Sequence, residues 1–368
     1  MKILIAAGGT GGHIYPGLAI AEKIKSEKPE AEILFIGSYV GMEKNIIPQA
    51  GYPIEYIRAR GFEKGFSLET IAAVKGIVDG LTDARRLLKK HQPDLVIGTG
   101  GFTAASLLFM ASRKKIPTLI HEQNAFPGRA NRMLGKRVDR VAISFTEAEA
   151  YFPEGKTVLC GNPVRPEYVH SNRSALRAAL GLADSEQMIL VMGGSQGAGS
   201  INRASLDLMA FFKDQENVRI YHLTGKDQFD KVVAEANERG LNQSKNRVIL
   251  AYHQELYNLL GAADLVISRS GAMSVAEIAA VGLPSILVPY PLAAGNHQEF
   301  NARVLTDSGG GILIEDEKLT GDLLIDRVGK LLSNPQELLL MQKKTREKAI
   351  PDAGDRIYGA LLRLMEKT

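Results

Sequence analysis

Short runs of apolar and β-branched residues alternate with helix-length stretches along the whole chain. The runs lie at 2–6, 33–36, 95–98, 118–120, 141–143, 157–159, 188–192, 219–223, 248–251, 265–268 and 285–288. Most are apolar at every position rather than at every second one, as parallel strands are when helices cover both faces. The rhythm predicts an α/β fold of parallel sheets.

Two prolines interrupt the rhythm at Gly161-Asn162-Pro163-Val164-Arg165-Pro166, and then it begins again. The run 2–6 leads into Gly8-Gly9-Thr10-Gly11-Gly12 and a helix; the run 188–192 leads into Gly193-Gly194-Ser195-Gln196-Gly197 and a helix. Each half has a second strand-to-glycine turn, at 98–102 and 268–272. This predicts two doubly wound, Rossmann-like parallel-sheet domains facing a cleft, 1–162 and 163–350. Ligands are expected at the carboxyl ends of the strands.

Length agrees, because 368 residues exceed what one core usually organises. Hydrophobic residues at 45% and charged residues at 23% exclude a disordered or fibrous chain. The single cysteine, Cys160, excludes an internal disulfide and any multi-cysteine metal site. No apolar run is long enough to cross a bilayer, and the first residues enter a strand pattern without the features of a signal peptide. The formal charge of +4 is unevenly placed. Residues 1–160 hold 22 Lys/Arg against 16 Asp/Glu, and the remainder holds 23 against 25.

The 37 glycines are about a tenth of the chain against a usual ~7%, and much of that surplus falls in the four turns. A glycine turn between strand and helix exposes backbone N–H groups and lets an anion approach the positive end of the helix dipole. Dinucleotide binding fails on residues: counting from Gly9 puts Ile14 where the third glycine belongs, and no carboxylate ends the run Leu34-Phe35-Ile36-Gly37-Ser38. No Gly-Lys-Ser/Thr marks a Walker A loop either. In Ser268-Arg269-Ser270-Gly271-Ala272, continuing to Glu277, the helix start offers N–H groups to a diphosphate. Glu277 is either a ribose-binding carboxylate, a solvated helix residue, or a partly buried carboxylate in need of partners.

The ordered set Gly8-Gly9-Thr10-Gly11-Gly12-His13, Gly98-Thr99-Gly100-Gly101, His121-Glu122-Gln123-Asn124, Gly161-Asn162-Pro163-Val164-Arg165, Gly193-Gly194-Ser195-Gln196-Gly197-Ala198, Arg269 to Glu277 and Asn296-His297-Gln298-Glu299 resembles the MurG family. These are bacterial transferases of the glycosyltransferase-B superfamily that convert lipid I to lipid II. The resemblance covers nearly the whole chain. It implies transfer of N-acetylglucosamine, with inversion, from UDP-GlcNAc to the 4-hydroxyl of a muramoyl sugar on undecaprenyl diphosphate.

By the same resemblance the second half holds UDP. Ser195 contacts the phosphates; Ala272, Met273, Ser274, Val275, Ala276 and Glu277 contact diphosphate and ribose; Gln298 contacts the sugar; and His253 lends backbone to the uracil. Thr10, Gly11, Gly12 and Asn124 match positions that reach the donor sugar, and Arg165 matches a donor contact. Gly100, Gly101, His121 and Glu122 are expected at the acceptor, with a structural role as the alternative for His121 and Glu122. A C-terminal helix, 351–368, is expected to pack on the first domain. No Asp-x-Asp of the metal-dependent kind is present, so neither metal nor cofactor is expected.

His13 stands one residue past a glycine turn, with a side-chain pKa of ~6.5 suited to taking a proton from a sugar hydroxyl. It is the candidate base; capping or packing is the alternative. The lipid acceptor implies docking on an anionic membrane as a peripheral protein of the cytoplasmic face. Phe62, Phe66 and the helical stretch Leu68, Ile71, Val74, Ile77, Val78, Leu81, closing on Arg85, Arg86, Lys89 and Lys90, suit that role. So do Leu107-Leu108-Phe109-Met110 beside Arg113-Lys114-Lys115. The same apolar spacing also suits a core-facing stripe. No nucleic-acid partner is expected; cell-wall synthesis proteins are. A UDP-GlcNAc 2-epimerase, a transferase with a soluble acceptor and an idle UDP-sugar sensor stay open as alternatives.

Overall fold

The computed structural model describes residues 1–58, 68–241 and 245–366, with backbone alone for 68–75. These form two compact units, one of residues 1–164 with 350–368 and one of residues 165–349. Phe62 and Phe66, and the side chains of Leu68, Ile71 and Val74, lie outside the described residues.

The first unit is a seven-stranded sheet of β1 (Lys2–Ala7), β2 (Glu32–Ser38), β3 (Ile54–Ile57), β4 (Leu95–Gly100), β5 (Thr118–Glu122), β6 (Arg140–Ile143) and β7 (Thr157–Leu159), in the order 3-2-1-4-5-6-7. Every pairing is parallel. Between the strands run α1 (Gly11–Glu27), α2 (Glu43–Gln49), α3 (Leu68–His91), α4 (Gly101–Arg113) and α5 (Arg129–Gly135). Strand β1 shows why its sequence lacks alternation. Ile3 and Ile5 pack into a core with Ile14 and Ile20, whereas Leu4 and Ala6 pack into a second core with Leu87, Leu107 and Leu108. Each fully buried Ile or Leu contributes roughly 1.5–3 kcal/mol.

The second unit has β8 (Gln187–Met192), β9 (Val218–Leu223), β10 (Arg247–Leu250), β11 (Leu265–Ser268), β12 (Ser285–Leu287) and β13 (Gly311–Leu313), all parallel, in the order 10-9-8-11-12-13. Its helices are α6 (Pro166–Val169), α7 (Arg173–Ala179), α8 (Gly199–Phe211), α9 (Phe229–Glu238), α10 (Leu256–Ala262), α11 (Ala272–Val281), α12 (His297–Thr306), α13 (Gly321–Leu332) and α14 (Pro335–Arg346). The last helix, α15 (Ala353–Met365), belongs to the first unit. Its Ile357, Ala360 and Leu361 join the core beside α1, and Asp355 pairs with Lys23 at 2.6 Å.

Among the described residues no helix is long and apolar enough to cross a membrane. Strand β4 and helix α4 correct one expectation: Leu107 and Leu108 are fully buried beneath the sheet, so they offer nothing to a membrane. On α3, Leu87 and Leu88 are core residues, while Ile77, Val78, Arg85, Arg86, Lys89 and Lys90 are exposed.

Candidate active site

In each sheet the strand order reverses beside the first strand, between β1 and β4 and between β8 and β11, and the four glycine turns leave the carboxyl ends of these strands. In the first unit, Thr10 precedes α1, and Thr10 and Gly12 are exposed, with Gly11 half-buried. His13, in the first turn of α1, turns its imidazole back so that Nδ1 donates to Gly8 O at 3.2 Å. Thr99 Oγ1 donates to the His13 carbonyl at 2.7 Å, tying this turn to the next one. Gly100 and Gly101 adopt φ of +122° and +81°. A Cβ on Gly100 would lie 2.7 Å from His13 Cδ2 and Nε2, so glycine there is what admits the ring.

The loop after β5 is braced from within. His121 is fully buried; its ring contacts Gly161 O through Nε2 at 3.0 Å and Gln123 Nε2 through Nδ1 at 3.0 Å. Burial pushes its pKa down to about 4, which keeps it neutral. Glu122 is 1% exposed and accepts from Asn124 N, Asn124 Nδ2, Gly128 N and Asn131 Nδ2. Both side chains are therefore committed to holding this loop, and Asn124, half-buried, is what the loop presents.

In the second unit the turn after β8 is packed against the end of β9. A Cβ on Gly197, at φ +83°, would meet Thr224 O at 2.1 Å, and one on Gly225 would meet Gly197 N at 2.1 Å. Ser195 is exposed at the tip of this turn, where its carbonyl accepts from Lys226 N. After β11, Gly271 opens α11, so Ala272, Met273 and Ser274 direct their N–H groups out of the helix start. Val275 packs in the core and Ala276 is half-buried. Gln298 is oriented by Tyr290 N, which donates to its Oε1 at 2.9 Å. His253 is half-buried in the loop after β10, with Nδ1 buried and without a hydrogen-bond partner.

Glu277, one and a half turns into α11, is a half-buried carboxylate. Desolvation pushes its pKa up to about 7, against the hydrogen bond from Tyr168 and the attraction of Arg165, both of which favour the ionised form. The Arg165 guanidinium lies over the rings of Tyr168 and Tyr257, 5.5 and 5.1 Å from their centroids. Thus Arg165, Tyr168, Tyr257 and Glu277 form one cluster.

Four residues have a part that the sequence alone does not assign. Tyr168 and Tyr257 carry no motif; they come to Glu277 through the packing of α6 and α10. Arg269, though inside the motif, is spent on structure: it donates to Val288 O, Pro289 O, Asp316 Oδ1 and Ser200 Oγ. Glu43, first residue of α2, is fully buried and accepts from Gly9 N at 3.0 Å and from Ser38 N and Oγ at 2.8 and 2.7 Å. Its signal was Gly37-Ser38 and Gly41 close before it, glycines that make room for its side chain. Among the described residues no group of three or more His, Cys, Asp or Glu is placed to hold a metal ion.

Residues 3–143 match the glycosyltransferase family 28 N-terminal domain, and residues 188–357 match the family's C-terminal domain. The chain is 43% identical over 367 residues to a protein of Acetivibrio thermocellus, covering 100% of this chain and 99% of that one. It is 38% identical to a protein of Bacillus licheniformis, covering 99% of each. Both are UDP-N-acetylglucosamine--N-acetylmuramyl-(pentapeptide) pyrophosphoryl-undecaprenol N-acetylglucosamine transferases. The crystal structure of Acinetobacter baumannii MurG superposes with a TM-score of 0.78 at 28% identity, over 100% of both chains. A UDP-GlcNAc 2-epimerase of Neisseria meningitidis superposes at 0.69 with 14% identity over 99% of this chain and 100% of that one, a likeness of fold alone. The chain belongs to the MurG family of N-acetylglucosamine transferases, built from both domains of glycosyltransferase family 28.

Proposed function

We propose that the protein transfers N-acetylglucosamine from UDP-GlcNAc to the 4-hydroxyl of the muramoyl sugar of lipid I, giving lipid II for peptidoglycan synthesis. The observation that carries this is identity of 43% along the full length to a transferase of that reaction, against a fold-level likeness to the epimerases. The donor's ribose hydroxyls bind the Glu277 carboxylate, its diphosphate the N–H groups of Ala272, Met273 and Ser274 and the turn at Ser195, with Val275 and Ala276 lying alongside, its sugar Gln298, and its uracil the backbone at His253.

Arg165, held over two tyrosine rings beside Glu277, offsets charge developing on UDP. In the first unit His13 Nε2 takes the proton as the acceptor oxygen bonds to C1 and the C1–O bond to UDP breaks, the electron pair leaving with UDP. Thr10, Gly11, Gly12 and Asn124 reach the donor sugar. Gly100 and Gly101 seat the acceptor, with His121 and Glu122 supporting the loop from beneath. The protein binds an anionic membrane surface peripherally on the cytoplasmic side, through the exposed apolar and basic residues of α3.

The test is UDP release from UDP-GlcNAc with and without a lipid I analogue, in chelator. Release that requires the analogue and survives the chelator is expected. Release without acceptor, or turnover to the 2-epimer, contradicts the reading.

A further inference from the structure

A single peptide group, joining Gly8 to Gly9, stands between the buried Glu43 carboxylate and the His13 ring. Its N–H donates to Glu43 Oε2 at 3.0 Å, and its C=O lies 3.2 Å from His13 Nδ1. A carbonyl oxygen only accepts, so Nδ1 carries the proton and Nε2 is the ring's basic nitrogen. We propose that Glu43 is a positioning residue for His13, acting through the Gly8–Gly9 peptide as a carboxylate acts directly on the ring in a carboxylate–histidine pair. It rests on the reading of His13 as the base.

The physical case is polarisation. A negative charge at the N–H end of a peptide pushes electron density toward its oxygen, and hydrogen bonds in series strengthen one another by roughly 10–30% per bond. The Gly8 oxygen becomes a better acceptor for Nδ1–H. It favours the imidazolium, a stronger donor, more than the neutral ring. His13 is thereby held in one tautomer and made more basic at Nε2, which is what proton removal from a sugar hydroxyl requires.

The surroundings are shaped for this carboxylate. A Cβ at Gly8, Gly37 or Gly41 would come within 2.9, 2.6 or 1.8 Å of the Glu43 side chain. Removing a carboxylate from water costs several kcal/mol unless hydrogen bonds replace the lost solvation, and three are supplied here, from Ser38 N, Ser38 Oγ and Gly9 N. Other charged groups on the elements packed against α1 stand apart. Lys2 is at the opposite end of β1, β4 carries no charge, Lys44 on α2 is exposed, and α15 meets α1 at Lys23, about three turns from His13. The exposed Tyr15 is the titratable neighbour on α1 itself.

Glu43→Gln in the full chain, carrying ¹⁵N-labelled histidine, tests the link. Wild-type His13 is expected as the Nδ1–H tautomer, and the variant's ring pKa is expected to fall by about half a unit or more. With a lipid I analogue, kcat should fall about tenfold while KM for UDP-GlcNAc holds within about twofold, and the acid limb of kcat/KM should move to lower pH. In a His13→Ala background the same substitution should cost nothing further. An unmoved ring pKa and acid limb, or an equal loss without His13, overturns the proposal. Should the Gln variant not fold, Glu43→Asp keeps the charge at a longer reach and is expected to lower the ring pKa partway; a ring pKa equal to wild type counts against the link. Full turnover in His13→Ala sinks the reading of His13 as base, whereas the titration still scores the Glu43–His13 link by itself.

Discussion

Glu277 shows at the scale of one residue how burial and function pull against each other. Its carboxyl is held near pKa 7, above the ordinary value of 4.5. Between those two values the folded chain keeps a proton that the unfolded chain has lost. Stability from this group is therefore full below pH 4.5 and is lost as pH rises through about 7. Glu277→Gln should flatten that part of the thermal-stability profile; a profile that still follows wild type between about pH 5 and pH 8 would show that Glu277 is not the group titrating. Only the ionised carboxylate accepts from two ribose hydroxyls, so UDP-GlcNAc affinity measured by calorimetry should rise through about pH 7 in wild type, and the variant should bind more weakly with no such rise. The sequence made Glu277 visible as a carboxylate on a helix after a glycine turn. It could not show Tyr168 and Tyr257, which arrive through helix packing and are separated in the chain by almost ninety residues. Glu43 was hidden for the same reason: what it braces is the turn of a different strand.

At the scale of elements, the glycine turns are where sequence and structure correspond most closely. A strand apolar at every position needs two covered faces, and β1, β4, β8 and β11 have them, so their ends and the turns beyond could be read directly. Strands β3 and β13 escaped because neither is an apolar run: β3 reads Ile-Glu-Tyr-Ile, broken by two polar residues, and β13 is a Gly-Ile-Leu of three residues. The Leu107–Leu108 pair misled because a buried helix stripe and a membrane-facing one share a period. The contact between the first two turns gives a prediction of its own. Gly100→Ala, at φ +122° and with its new Cβ 2.7 Å from the His13 ring, should displace the imidazole. Turnover should drop about tenfold or more with UDP-GlcNAc affinity kept, because the residues proposed to bind the donor lie mostly in the other unit. Unchanged kcat in a folded Gly100→Ala variant would separate His13 from the chemistry.

For the whole molecule, the charge is unevenly divided. The first 160 residues carry the positive excess, and α3 sets Ile77 and Val78, 37% and 56% exposed, on the same helix as Arg85, Arg86, Lys89 and Lys90. Each basic residue close to an anionic leaflet contributes about 1 kcal/mol. Flotation with anionic vesicles should bring the protein up at low salt, and reversing these four charges should leave it behind. Equal flotation of both proteins would contradict the role of α3, and flotation of neither would contradict membrane binding itself. What the units accomplish together is decided by the product. Incubation with UDP-GlcNAc and a lipid I analogue, followed by mass spectrometry and the anomeric proton coupling, should give the analogue enlarged by one N-acetylhexosamine in the β configuration. An analogue recovered unchanged while UDP-GlcNAc is consumed, or an α-linked product, would contradict the account.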